Sequence, residues 1–542
     1  MKTLISAFTI FAVLGAAAPV QADETAGAYT IAQTKRVKKK KTARSTVRSS
    51  AKGVTAEGKE LAKALSLARQ GKYHEASTRL LKLSRDPRFM NERMQIKYIL
   101  GLMLYEMKFN QVAAFQFVDV VREGTNKYIK NSLEKLAIVA DQLGDDTLLN
   151  YALSRVNLEE FPAQNKDMLL FRIGEFQYRG GFFEKAADYL GRIPGTSIFY
   201  SEAKYLEGLA LAEQNKPEQA LKVFQSLLAA NETAGVTDPN RVAALMSLAR
   251  THYQRKDWEN AIDVYRQIPR DSEFWHDSLF EMSWAQMRSA RFRSVLSNFH
   301  SLHSPYYEDF YLPESLLLRS IVYLYICQYD EMEKTLDLFD RIYQPVLKQT
   351  TDYVKANRDA SKYYSELDNV IKNFGEFRRD AKKRSAIQLP FLVTRFVIRE
   401  GDVQRTHKYI SKLNEEYERL LQQPDVWKKS AIGRYVVKVL QGRMKAAKTR
   451  MGRQARNHMI RIVRDLRDLF EQHGYARFEL LNAKKEALRK KMAGKGLAGP
   501  QVDEETSRSY YIQNGYEYWP FRGEYWLDEI GNYYYLGKSA CE

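Results

Sequence analysis

The sequence predicts an all-α protein: an α–α superhelix of about eight stacked helix pairs, then long helices, then a short aromatic-rich C-terminal segment open to a β-hairpin. Three observations predict it. A small residue recurs at near-constant spacing over residues 57–342. A continuous apolar stripe of helical period follows it. Eleven aromatic residues then crowd between Tyr510 and Tyr535.

The N-terminus comes first. Met1 and Lys2 give a basic start, Leu4 to Ala18 is almost continuously apolar, and Val20-Gln21-Ala22 closes the run. This is the pattern of a secretory signal peptide, residues 1–22, cleaved after Ala22. The run is shorter than the ~20 residues that cross a bilayer, and no later segment is long and apolar enough to do so. The mature chain is therefore expected to lack a transmembrane span and to be periplasmic in a Gram-negative bacterium; a surface or secreted location is the alternative. Residues 23–56 form a basic arm. From Lys35 to Lys52 there are nine basic residues and no acidic ones, with no apolar pattern to drive folding. Lys38, Lys39, Lys40 and Lys41 are its candidate contacts for an anionic partner. Export argues against nucleic acid. Anionic lipid, lipopolysaccharide or acidic envelope proteins fit better.

The array occupies residues 57–342. Three windows show its pattern: Gly174 leads through Gly181 to Ala186 and Leu190, Gly208 through Asn215 to Ala220 and Phe224, and Ala249 through Lys256 to Ala261 and Tyr265. In each, a small residue is followed twelve places later by alanine and four places after that by a large apolar residue. The alanine position recurs as Ala76, Ala113, Leu149, Ala186, Ala220, Ala261, Val295 and Met332, at intervals of 34 to 41 residues. The physical reading is a first helix that offers a small residue where the second crosses closely, with the large residue filling space toward the next pair. No single pair buries its apolar face, so the pairs must stack. The pattern resembles the tetratricopeptide repeat, whose period is about 34 residues. That resemblance implies a superhelix with a groove lined by the first helices. The groove positions are Tyr178, Arg179, Tyr205, Arg250, Tyr253, Trp284 and Arg288, residue types enriched at binding hot spots, with protein or peptide ligands expected there.

Residues 343–425 continue as helix, broken at Leu389-Pro390 and Glu400-Gly401. Residues 426–495 then carry apolar positions from Ile432 to Leu469 on one face, with His473-Gly474 expected to end this helix and a second to start near Leu480. The opposite face is basic and includes the candidate anion contacts Arg450, Arg453 and Arg456. From Lys428 to Lys495 there are twenty basic and five acidic residues, which leaves the body of the chain mildly acidic within a total of +19. A single-sign face repels itself, so it must meet an external anion or the acidic body of this chain.

Residues 496–542 hold the aromatic segment, read as a hairpin or an irregular clamp packed on the basic helix. Its Trp519-Pro-Phe-x-Gly-Glu-Tyr-Trp526-x-Asp-Glu string resembles the tail of tetratricopeptide envelope proteins of gliding and predatory delta-proteobacteria, which implies a place in a cell-envelope or gliding-motility machine. The two cysteines, Cys327 and Cys541, leave pairing open. His300 and His303 have a metal-compatible spacing without further ligands beside them, and a surface helix end is the plainer reading. No phosphate loop, CxxC, nucleophile elbow or HExxH is present. The expectation is a scaffold or adaptor without catalysis, cofactor or metal. The alternatives are a fixed structural subunit of an envelope complex or, below that, an enzyme-associated peptidoglycan module.

Overall fold

The computed structural model describes residues 56–123, 127–144, 166–230, 239–492 and 524–535. The signal peptide, the basic run with Lys38 to Lys41, Leu149 and Cys541 lie outside the described residues. Helices α1 (Ala56–Arg69) and α2 (Tyr73–Arg85) form the first pair, and α3 (Arg93–Glu106) and α4 (Asn110–Arg122) the second. The third opens with α5 (Ile129–Leu143). Then follow α6 (Lys166–Arg179) with α7 (Phe183–Gly191), α8 (Tyr200–Glu213) with α9 (Pro217–Ala230), and α10 (Pro239–Gln254) with α11 (Trp258–Tyr265). The last pairs are α12 (Trp275–Arg288) with α13 (Phe292–Leu302) and α14 (Pro313–Tyr325) with α15 (Tyr329–Ala356). Beyond the array come α16 (Ala360–Lys372), α17 (Phe374–Arg379), α18 (Phe391–Arg399), α19 (Gly401–Leu421), α20 (Asp425–Lys429) and α21 (Ala431–Met492).

The repeat register is written into the backbone. Gly71, Lys108, Gly144, Gly181, Asn215, Lys256, Ala290 and Cys327 all adopt left-handed φ values, from +58 to +77°. Each lies five residues before one of the eight anchor positions, so every pair turns at the same point. The next N–H then reaches back to a carbonyl five residues earlier, as in Phe109 to Leu104 and Arg291 to Gln286, both at 2.8 Å. This is the bond pattern that caps a helix through a left-handed residue. All seven described anchors are fully buried. Four of the turn residues are neither glycine nor asparagine, and each L side chain in this region costs about 1–2 kcal/mol.

The crossing of the two helices is equally regular. A Cβ added to Gly101, Gly174 or Gly208 would sit 2.5–2.7 Å from Phe117, Leu190 or Phe224 respectively. The large residue of the second helix thus fills the space left by the glycine of its own pair, not only space toward the next one.

The described residues divide into two compact units. In one, residues 408–445 join the helices up to Ala203. Trp427 of α20 stacks on Phe109 at 5.7 Å between ring centroids, and its indole N–H donates to Ser77 Oγ at 3.1 Å. The buried carboxylate of Glu416 in α19 accepts from the Gln111 N–H at 2.9 and 3.2 Å, at the start of α4. Orphan amides at a helix N-terminus favour such a partner. Burial still pushes the Glu416 pKa up to about 8.

In the other unit, residues 446–492 of α21 join the helices from Lys204 to His407. The apolar stripe read from the sequence is buried at Met451, Ala455, Met459, Ile462 and Leu466. Gly452 meets the Ala360 carbonyl so closely that a Cβ there would have no room. The expected break at His473-Gly474 does not occur: α21 is one helix of 62 residues, which at about 1.5 Å per residue measures about 93 Å. His473 is buried, donates to the Leu336 carbonyl at 3.2 Å and stacks on Phe339 at 5.2 Å. That packing outweighs the cost of about 1 kcal/mol for a mid-helix glycine.

No strand occurs among the described residues, so the hairpin is not formed over 524–535. The segment turns on itself instead, through hydrogen bonds from Glu529 N to Trp526 O and from Asn532 N to Glu529 O. It spends two further amides on helix side chains: Gly531 N–H on Ser301 Oγ at 2.8 Å and Tyr535 N–H on Ser297 Oγ at 2.9 Å.

Two substitutions test the register from opposite sides. Gly208→Ala is expected to lower the stability of the folded chain by about 1–3 kcal/mol, because its Cβ overpacks against Phe224. Ala290→Gly is expected to raise it by about 0.5–1 kcal/mol, the left-handed penalty removed less the entropy that glycine loses on folding. Chemical denaturation midpoints measure both.

Candidate functional site

The first helices of the later pairs carry a run of half-buried polar and aromatic side chains: Tyr205 on α8, Arg250 and Tyr253 on α10, Arg288 on α12 and Glu314 on α14. Arg250 binds Glu281 through two hydrogen bonds, 2.6 and 2.8 Å long. The Tyr265 hydroxyl donates to the same carboxylate at 2.8 Å. The Glu281 charge, against the effect of burial, holds Arg250 firmly protonated. This is a bidentate pair of the strong kind, joining one repeat to the next. Arg250 is therefore a strut as much as a contact.

The adjoining group is also half-buried. Tyr253 sits edge-on to Trp258 at 4.8 Å and accepts a hydrogen bond from Arg288; burial raises its pKa. Glu314 lies near it. Burial pushes the Glu314 carboxyl up to about 7, because desolvation disfavours its charged form. Aromatic and Arg type at groove positions does not single out either carboxylate, Glu281 or Glu314. A signal for Glu281 existed: it stands 31 residues after Arg250, close to one repeat.

Trp284 departs from expectation. It is buried within α12 and serves as core, because its position on the helix faces its neighbours in the stack. Tyr178 and Arg179 belong to the other unit. Tyr178 packs on Phe183 at 5.6 Å, and Arg179 pairs with Glu175 of its own helix at 3.3 Å.

The family model described as the tetratricopeptide repeat matches residues 205–274, the helices that carry Tyr205, Arg250 and Tyr253. Over these residues the chain matches the tetratricopeptide repeat. Among solved structures it is similar to the apo form of RapI, at 12% identity over 62% of this chain and 100% of that one, with a TM-score of 0.34. It is also similar to the C-terminal part of a tetratricopeptide repeat-containing protein of Cytophaga hutchinsonii, at 17% identity over 46% and 98% of the two chains, TM-score 0.29. A Rap protein complexed with Competence and Sporulation Factor shares 11% identity over 73% and 99%, TM-score 0.25. No curated protein matches the sequence.

The basic helix that follows the array resolves its charge in different ways along its length. Arg477 donates to Asp337 at 2.6 Å and Asp340 at 2.8 Å, and Lys484 to Glu333 at 2.7 Å, all on α15. Arg456, expected to face an anion, is half-buried against the fully buried Tyr363, which draws a hydrogen bond from it. Arg450 and Arg453 remain exposed. His458 donates from Nε2 to Asp402 at 2.8 Å, and its Nδ1 accepts from Arg461 at 2.7 Å. Glu400, Asp402 and His458 are the group among the described residues with metal-like spacing, yet both ring nitrogens are already in use. The cluster works as a clamp between α21 and the start of α19.

Among the described residues, 524–535 of the aromatic tail do not sit on the basic helix. This described part lies on α12 to α14 of the array. His300 packs against Tyr525 at 5.4 Å and Tyr533 at 4.8 Å, and Tyr535 approaches Tyr323 at 6.3 Å. Arg270 donates to the Leu527 and Asp528 carbonyls. A Cβ on Gly531 would lie 2.7 Å from Trp275. His300 and His303 are thus not a surface helix end: the tail covers the first, and the second accepts from Arg319 at 3.1 Å and bonds Ser315 at 2.8 Å. Cys327, at the last left-handed turn of the array, is disulfide-bonded.

A pH prediction follows from Glu314. Its folded pKa is raised from 4.5 to about 7. Its contribution to stability is fully present below its unfolded pKa and is lost as pH rises through about 7. Glu314→Gln is expected to gain about 1–2 kcal/mol on the wild type between acid and pH about 8, less than full linkage gives because the group borders solvent. Parallel melts across that range check it; a constant difference at every pH would refute the assignment.

Proposed function

We propose that the protein is an exported scaffold that captures a protein or peptide segment on the first-helix face around Tyr253, Arg288 and Glu314, while its basic segments contact anionic envelope components. Tetratricopeptide repeats mediate protein–protein interactions. The observation that carries this reading is the half-buried cluster itself, where an aromatic ring, a guanidinium and a desolvated carboxylate converge within the matched family region or directly beside it. Such residues dominate binding energy when a partner completes their burial. Periplasmic residence is supported by the N-terminal apolar run and by the disulfide at Cys327, since disulfides persist in oxidising compartments. No helix among the described residues is long and apolar enough to cross a membrane. We infer binding rather than catalysis.

A second reading, a fixed structural subunit of an envelope or gliding-motility complex, is favoured by the docked tail, which leaves Trp526, Leu527 and Tyr534 exposed. The two readings separate in one experiment. Crosslinked affinity purification from cells compares the wild type with Tyr253→Ala/Arg288→Ala. The scaffold reading expects at least about a tenfold loss of one partner. Undiminished recovery of every partner by the double variant sinks it and leaves the fixed-subunit reading.

A further inference from the structure

The last turns of α21 carry two apolar stripes on opposite sides. One, with Ala476 and Leu480, is buried. The other is open: Phe478 is 60%, Leu481 66%, Leu488 61% and Met492 87% exposed. At helical spacing these four share one face about 21 Å long. Lys485 lies within that face and Arg489 at its edge, both exposed. No carboxylate of α21 falls on it between Gly474 and Met492. Glu479 and Glu486 lie on another side, where Glu486 raises the Tyr329 pKa after burial does. The carboxylates of α15 that flank the helix, Asp330, Glu333, Asp337 and Asp340, are engaged by Lys484 and Arg477.

We propose that this face, over Phe478 to Met492, seats on an anionic lipid surface, its apolar side chains entering the headgroup boundary and Lys485 and Arg489 meeting lipid phosphates. The inference rests on the reading of the basic segments as envelope contacts and moves the contact from the central arginines to the end of the helix. Charge decides the occupant. An apolar face interleaved with cations and free of carboxylates is the composition of helices that lie in the membrane interface. A second copy of this chain fits less well. The stripe spans about two heptads, short of the three or four of a stable zipper, and Lys485 would sit in the seam, where a lone charge is costly.

The test is co-sedimentation of the purified full chain with phosphatidylethanolamine vesicles holding about 30 mol% phosphatidylglycerol, against phosphatidylcholine vesicles, at about 0.1 and 0.5 M NaCl. The wild type is expected to bind the anionic vesicles and not the neutral ones. Phe478→Ser/Leu488→Ser and, separately, Lys485→Glu/Arg489→Glu are each expected to weaken binding at least about tenfold, with unchanged melting because all four side chains are exposed. A chain lacking residues 35–52 keeps the part of the binding that these variants remove. Equal binding by Phe478→Ser/Leu488→Ser, equal binding to neutral vesicles, or loss of all binding with residues 35–52 alone overturns the proposal. So does a dimer in sedimentation velocity that Phe478→Ser/Leu488→Ser dissociates while no vesicle binds. Partner recovery with Tyr253→Ala/Arg288→Ala reads the scaffold function independently of these outcomes.

Discussion

The structure depends on the close crossing of the two helices in each pair. The left-handed turn fixes the angle at which the second helix leaves, and a small residue on the first helix lets it pass. A large side chain then drops into the vacated space, as Phe224 does over Gly208. These three conditions reinforce one another. A turn displaced by one residue would rotate the anchor out of the crossing and face Phe224 away from the glycine. The constant five-residue offset from turn to anchor persists even where the residues deviate, as at Ala290 with Val295 and Cys327 with Met332. Packing there imposes a conformation that the side chain itself disfavours, because the buried area lost with the register would exceed the local strain.

The C-terminal third follows a different logic. It has no repeat, and its helices fold by covering what the array leaves open. Trp427 and Glu416 do this in one unit, and Met459, His473 and Arg477 in the other. A basic helix and a mildly acidic array suit this arrangement, since lysine and arginine reach carboxylates on the helices they cover. The like charge on α21 is therefore not uniform in consequence. Arg477 and Lys484 are engaged by α15, Arg456 is drawn under Tyr363, and Arg464 and Arg467 face solvent.

The array was legible because its constraint is periodic: eight anchor positions at near-equal intervals mark the turn even where the glycine is replaced by Lys108 or Lys256. The apolar stripe of α21 was legible for the same reason. The end of that helix was not. Local propensity at His473-Gly474 argues for a stop, while the decisive contacts, Phe339 and the Leu336 carbonyl, lie about 137 residues away in sequence. The described part of the tail differs from expectation on similar grounds. Aromatic and acidic composition matches a basic helix, but residues 524–535 are held by serine hydroxyls and by histidine and tyrosine rings on α13 and α14, which no composition announces. Residue type at the right helical position points to Tyr253 and Arg288, which are half-buried, and equally to Trp284, which the stack buries.

The contrast between Arg250 and Arg288 shows why residue type alone cannot separate a strut from a contact. Both are arginines on first helices, near the same end of their helices. Arg250 finds Glu281 one repeat on, in a bidentate geometry that satisfies the guanidinium and ties two pairs together. Arg288 finds the phenol of Tyr253, a neutral partner that does not cancel its charge, beside a Glu314 that burial keeps partly protonated near neutral pH. The first arrangement is closed and gains little from a ligand. The second leaves a cation and a reluctant carboxylate at the edge of solvent, and a partner that brings complementary charge would gain from both. In the proposed reading, that incompleteness is what makes Tyr253, Arg288 and Glu314 the contact surface and Arg250 the frame that holds it.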